Sequence, residues 1–207
     1  MEFNATVYVV DDDEQIGQAI QWLLKTVKLP SRVFTSSEDF LNNYDPLWRG
    51  CILLDIRMPL LSGFNVQERL NQLNNQLPII FLTGHGDVPM AIKALKNGAL
   101  DFLLKPFNDQ VLLEKIHHAL HINDLRAKKY EVEQIYAKRL ESLTLREQEV
   151  FKLIAQGKLN KQIAAKLNIA VSTVELHRAN LMNKMHISSV AELVAIYLLF
   201  NPSPLWS

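Results

Sequence analysis

The chain has 207 residues, 48% of them hydrophobic and 21% charged, with 22 Lys and Arg against 22 Asp and Glu. That composition is globular rather than disordered, and no run of 18 apolar residues marks a membrane span. The single cysteine, Cys51, excludes an internal disulfide, and no basic flank precedes an apolar segment at the amino terminus. No signal peptide, no membrane partner and a reducing cytoplasm are therefore expected. Zero net charge hides an asymmetry. Residues 1–123 carry 10 basic against 14 acidic groups, residues 124–141 carry 5 against 4, and residues 142–207 carry 7 against 4. Two domains with different partners are expected, although so modest a basic excess does not by itself indicate nucleic acid.

The first part alternates strand and helix. Residues 6–10 read as an apolar strand, and residues 16–27 carry apolar groups at helical spacing. A short strand at 31–35 and a helix near 38–43 follow. Cys51-Ile52-Leu53-Leu54-Asp55 is an apolar run ending in a carboxylate, the pattern of a central parallel strand buried on both faces. A helix at 64–73, a strand at 78–82, a helix at 88–96 stopped by Asn97-Gly98, a strand at 100–104 and a helix from 109 complete five βα units. The expected fold is α/β and flavodoxin-like, a five-stranded parallel sheet in the order 2-1-3-4-5.

In that order strands one and three are neighbours, so Asp11, Asp12 and Asp13 come beside Asp55 at the carboxyl edge, where α/β sheets bind ligands. Clustered carboxylates need a cation, and Mg²⁺ uses one or two of them and keeps waters for a phosphoryl group. Thr83 ends strand four and Lys105 ends strand five, adding a hydroxyl and an ammonium. The plain alternative is that Asp12 and Asp13 are helix caps, with Gln15 completing a capping box on Asp12.

Val9-Val10-Asp11-Asp12-Asp13, Leu54-Asp55-Ile56-Arg57-Met58-Pro59, Thr83-Gly84-His85-Gly86-Asp87 and Lys105-Pro106-Phe107 together resemble the receiver domain of two-component response regulators. The resemblance implies that Asp55 accepts a phosphoryl group from a histidine kinase. It implies that Asp11, Asp12, Asp55 and the backbone carbonyl of Arg57 hold Mg²⁺, and that the Lys105-Pro106 bond is cis. Thr83 moving toward the phosphoryl group would let Phe102 turn inward as a switch. Many receivers have Tyr at that position; here the ring lacks a hydroxyl, and plain core is the alternative role. A haloacid dehalogenase-type phosphatase needs a second Asp two residues after the nucleophile, where this chain has Arg57.

Residues 124–141 lack Gly and Pro and read as a linker helix continuing from the fifth receiver helix, either solvated or paired in a coiled coil. The last part, residues 142–207, reads as a four-helix, all-α domain. Thr144-Leu145-Arg146-Glu147 is a capping box opening a helix through Ile154, and residues 160–167 form a short second helix. Ser172-Thr173-Val174-Glu175 reads as a second capping box opening a helix through Met185, so that a helix-turn-helix results. A last helix runs over 188–199, followed by a frayed tail. On the capped helix Val174, Leu181 and Met185 should face the core. Leu176, Ala179 and Asn183, flanked by Glu175 and Asn180, should face a major groove. Glu175 has two readings, a cap or an acceptor from cytosine. Lys158, Lys161, Thr173, His177 and Lys184 are phosphate candidates, and Asn160 and Ser172 complete the expected DNA-contact set. Arg178 has the alternative of pairing with Glu147 or Glu149.

Leu143 to Val150 and Thr173-Val174-Glu175-Leu176-His177-Arg178 resemble the LuxR-type DNA-binding domain. With the receiver, the chain is similar to the FixJ/NarL class, nearest to FixJ-like regulators through Gly84-His85-Gly86-Asp87-Val88-Pro89-Met90-Ala91 and Val174-Glu175-Leu176-His177-Arg178-Ala179-Asn180. This implies a phosphorylation-controlled transcription regulator that binds double-stranded promoter DNA as a dimer. Pairing through helix four and strand five would make Ile92 and Lys96 dimer contacts. Some relatives have Lys where Glu175 stands, so no operator sequence follows from the resemblance.

Overall fold

The computed structural model describes residues 5–84 and 88–201. His85-Gly86-Asp87 of the fourth-strand motif and the tail beyond Asn201 lie outside the described residues. The chain divides into two compact units, residues 1–128 and 129–207. Among the described residues no helix is long and apolar enough to cross a membrane.

The first unit is a parallel sheet of β1 (Thr6–Val10), β2 (Ser31–Phe34), β3 (Gly50–Asp55), β4 (Ile79–Thr83) and β5 (Asp101–Leu104), in the order β2-β1-β3-β4-β5. The helices between and after them are α1 (Glu14–Thr26), α2 (Ser37–Asn43), α3 (Gly63–Gln72), α4 (Val88–Lys96) and α5 (Asp109–Glu141). Strand side chains alternate between two faces, and the core splits accordingly. Val7, Val9, Cys51, Leu53, Ile80 and Leu82 pack with Ile20 and Leu24 of α1 and Leu112 and Ile116 of α5. Tyr8, Val10, Ile52, Leu54 and Phe81 pack with Phe40 of α2, Val66 and Leu70 of α3 and Ala94 of α4. All six residues of β3 are buried, which is why the sequence there is apolar without alternation.

Two glycines set how closely the chain approaches itself. Gly50 has φ +138°, and a Cβ there would lie 1.8 Å from the Thr6 carbonyl oxygen. A Cβ on Gly63 would lie 2.2 Å from the carbonyl oxygen of Asp55, so only glycine lets α3 begin against that aspartate's backbone. The α1 cap falls on one of the two expected acids. Asp13, not Asp12, is the N-cap, its Oδ1 accepting from the backbone of Gln15 at 2.9 Å and of Ile16 at 3.4 Å. The Asp12–Gln15 capping box is therefore corrected, and Asp12 is exposed.

The second unit holds the end of α5 and α6 (Leu145–Ala155), α7 (Asn160–Leu167), α8 (Val171–Met185) and α9 (Val190–Phe200). Val150, Ile154, Ile163, Val174, Leu181, Met185, Leu193 and Ile196 form its core, with Tyr136 and Leu140 of α5 against it. The Thr144–Glu147 capping box is present in both directions. The second expected box is not. Asn168 takes the left-handed conformation at φ 53°, the turn closes through Ile169 N–H to the Ala164 carbonyl, and α8 starts at Val171 without a side-chain cap. The turn thus returns the chain to helix one residue before the Ser172 hydroxyl could serve. Glu175, freed from capping, is exposed. The last helix is capped by Ser189, whose hydroxyl accepts from Glu192 N–H at 3.2 Å.

Candidate functional site

Four strand ends meet in the first unit. Asp11 follows β1 and is 1% exposed, Asp55 ends β3 at 5%, and Thr83 ends β4 at 3%. Lys105 follows β5, and its backbone N–H donates to the Thr83 carbonyl at 2.7 Å. The Lys105 ammonium donates to Asp11 Oδ2 at 2.5 Å and to Asp55 Oδ1 at 2.7 Å, joining residues that are 94 and 50 positions apart in sequence. Asp55 Oδ2 accepts the Arg57 backbone N–H at 2.6 Å. The Lys105-Pro106 bond is cis, as expected.

The electrostatics are those of an under-compensated acid pair. Burial pushes the Asp11 carboxyl above its ordinary value, against the pull of Lys105 and of the Asp13 N–H. Burial also disfavours the Lys105 ammonium, but its bonds to Asp11 and Asp55 prevail and hold its proton more tightly than usual. Two carboxylates share one ammonium, so negative charge is left over. Among the described residues no three acidic, His or Cys groups are gathered as a metal cage. Two buried carboxylates with exposed Asp12 at the rim nevertheless suit Mg²⁺, which takes few protein ligands and keeps waters.

Phe102 is half-buried, paired in register with Phe81, and packs on the core beneath α3 and α4. Ile92 and Lys96 are both exposed, one turn apart on α4. One residue near that helix escaped sequence reasoning. Gln67 is buried, and its amide donates at 3.2 Å to the carbonyls of Ala94 and of Asn97, at and just beyond the carboxyl end of α4. Its one sequence signal is its place on the Gly63, Val66, Gln67, Leu70 stripe, where an apolar residue would be expected.

In the second unit Val174, Leu181 and Met185 are fully buried, while Glu175, Leu176, Ala179, Asn180 and Asn183 form an exposed face. Lys158, Lys161 and Ser172 are exposed, and Thr173 and His177 half-buried. Three polar groups are engaged elsewhere. Lys184 donates to Glu147 Oε2 at 2.7 Å and to the Ser142 carbonyl at 3.3 Å, which draws it from the phosphate set into the fold. Arg178 donates to Asn160 Oδ1 at 2.9 Å rather than pairing with Glu147 or Glu149, tying α8 to the start of α7. Glu149 pairs with Arg146.

The family described as "Response regulator receiver domain" matches residues 7–117. "Bacterial regulatory proteins, luxR family" matches residues 141–197. The chain belongs to the response regulators. It is 44% identical over 194 residues to response regulator protein TmoT of Ectopseudomonas mendocina, covering 93% of this chain and 88% of that protein. It is 38% identical over 204 residues to transcriptional regulatory protein FixJ of Azorhizobium caulinodans, covering 99% and 97%. Among solved structures, the response regulator StyR matches with a TM-score of 0.81 at 41% identity, over 93% of this chain and 98% of that one. Full-length FixJ from B. japonicum matches with a TM-score of 0.59 at 36% identity, over 97% and 99%. This response regulator is a two-component transcriptional regulator of the FixJ/NarL class, with a histidine kinase as upstream partner and DNA as target.

Proposed function

We propose that Asp55 is the phosphoacceptor of this regulator, and that phosphorylation by its kinase promotes pairing on promoter DNA in the cytoplasm. The observation that carries the reading is the Lys105 ammonium bridging Asp11 and Asp55 at the strand ends, beside buried Thr83. Asp55 Oδ attacks phosphorus of the donor phosphohistidine; the O–P bond forms as the P–N bond breaks, and the imidazole departs. Such transfer needs positioning and charge neutralisation more than covalent help. Lys105 supplies fixed positive charge to the phosphoryl oxygens, and the Thr83 hydroxyl and the Arg57 N–H supply donors. Asp11, Asp12, Asp55 and the Arg57 backbone carbonyl would hold Mg²⁺, which when bound would supply further positive charge to those oxygens.

The phosphoryl group adds roughly 1.5–2 negative charges to a site already short of cations. Thr83 turning toward it opens space for Phe102 to turn inward, which biases α4 and β5 toward a second packing. Ile92 and Lys96 then contact a second copy, and the two α8 helices read successive half-sites. In this reading residues 1–123 are the receiver, 124–141 the linker helix, and 142–207 the DNA-binding domain. Glu175, Leu176, Ala179, Asn180 and Asn183 meet base edges, and Lys158, Lys161, Ser172, Thr173 and His177 meet phosphates.

The test treats the purified chain with acetyl phosphate, in Mg²⁺ or in EDTA, and follows phosphoprotein by gel shift, mass by sedimentation and DNA by titration. Phosphoprotein only with Mg²⁺, with tighter association and binding, is expected. Equal association and DNA affinity with and without the donor would refute the coupling.

A further inference from the structure

The reading helix α8 is held at its middle and at its carboxyl end, and one of its holds comes from outside the four helices α6 to α9. Midway along it, Arg178 ties it to Asn160 of α7. At its end the chain turns through His186 in the left-handed conformation, at φ 51°. The His186 and Ile187 N–H groups satisfy the carbonyls of Asn183 and Met182. Those are two of the four carbonyls that a helix leaves open at this end. The Met185 carbonyl is served differently. The Arg139 guanidinium, in the last turn of α5, donates to it at 2.9 Å while lying 5.2 Å over the Tyr136 ring.

A second strap runs the opposite way. Lys184 of α8 reaches back to the Ser142 carbonyl just past α5, and to Glu147 in the first turn of α6. Ser142 itself caps α5, its hydroxyl donating to the Arg139 carbonyl at 2.6 Å. All of these residues lie in the second unit. A cation at a helix carboxyl end also gains from the helix dipole, so the Arg139 contact is favoured twice.

We propose that Arg139 is a positioning residue for DNA recognition: from the linker helix it caps α8 and fixes the angle at which the reading face enters the groove. This rests on the reading of α8 as the groove helix. Base readout needs side chains placed to within a fraction of a hydrogen bond's tolerance, whereas phosphate contact tolerates displacement. Loosening one end of α8 therefore lowers discrimination more than it lowers general affinity. It also makes the helical state of the last turn of α5 an input to sequence reading.

The experiment uses the full-length chain with acetyl phosphate and Mg²⁺ throughout. A duplex enriched from a random pool by the wild-type chain is titrated beside a scrambled duplex, across a salt series. For Arg139→Ala, the ratio of the two affinities should fall about fivefold, the worth of one net hydrogen bond. The salt slope should stay unchanged, and Arg139→Lys should restore most of the ratio. An unchanged ratio overturns the proposal. So does equal weakening on both duplexes, whether from a salt slope lower by about one, which marks a phosphate contact, or from an unfolded second unit. If the wild-type chain enriches no sequence, the groove-helix reading itself falls, and that is seen before any variant is made.

Discussion

Asp11 in the first unit and Glu147 in the second are both buried carboxylates bonded to a lysine, yet they are held in opposite directions. Asp11 shares Lys105 with Asp55, and its carboxyl is pushed up by burial. Glu147 is also penalised by burial, but Lys184 and the Thr144 N–H outweigh it and hold its carboxyl below the usual range. One site has more negative charge than its partners neutralise, and the other is fully matched. An unmatched buried charge is held in place by the surrounding fold and favours a cation beside it. A matched one is bound up in the local structure, here the Thr144 N–H and Lys184.

The sharpest way to break this contrast is to neutralise the acceptor. Asp55→Asn should abolish phosphoprotein formation from acetyl phosphate, while far-UV dichroism and DNA binding without donor stay at wild-type values. Phosphoprotein surviving in this variant, at another carboxylate, would remove Asp55 from its role. Glu147→Ala should have the largest effect on stability in the second unit. It removes the Glu147 half of the α6 capping box, leaving the Thr144 N–H without its acceptor and Lys184 without its carboxylate. Because the Lys184 side chain is 37% exposed and can rehydrate, the expected loss is about 2 kcal/mol rather than the larger cost of a fully buried pair. Urea unfolding followed by Tyr and Trp fluorescence and by dichroism would measure it.

The reading face should divide in the same spirit. Asn180→Ala should cost about 1–3 kcal/mol on the preferred duplex and little on a scrambled one, as loss of a base contact does. Lys161→Ala should weaken both duplexes alike and lower the salt slope by about one. The opposite pattern in either variant would reassign that residue between base and phosphate.

How far the sequence carried these conclusions depends on the range of the interaction that fixes each feature. The strand order and the convergence of Asp11, Asp55, Thr83 and Lys105 were legible. Buried strands are apolar without interruption, and parallel topology then places their polar ends together. The caps were legible only in part. Two adjacent acids, Asp12 and Asp13, satisfy the same N-cap preference, and one residue of register decides between them. Ser172 and Glu175 match the capping-box spacing, but the left-handed turn at Asn168 starts α8 first. Gln67, Arg139 and the Arg178–Asn160 bond left almost no signal. Arg139 and Arg178 look, in sequence, like any surface residue, and Gln67 shows only as a polar residue on an otherwise apolar stripe.

The smallest expected effect tests the contrast most directly, because it compares signs rather than sizes. A carboxyl raised by the fold contributes stability at low pH that is lost as pH rises through its folded value. A carboxyl lowered by the fold contributes stability above its unfolded value that is lost as pH falls through the depressed one. Asp11→Asn should therefore stabilise the first unit near neutral pH, since Lys105 keeps Asp55 and the repulsion between the two carboxylates ends. That gain should fade as pH falls through the raised Asp11 value toward the ordinary carboxylate range, because the wild-type Asp11 takes up its proton there. Glu147→Gln should do the reverse, costing stability at neutral pH and costing less as the wild-type carboxylate is protonated below its usual range. Urea midpoints of the two variants against wild type across that interval should thus converge from opposite sides. Convergence from the same side would mean that the Asp11 carboxylate is as well matched as Glu147, and that the strand-end site holds no surplus charge for a cation to answer.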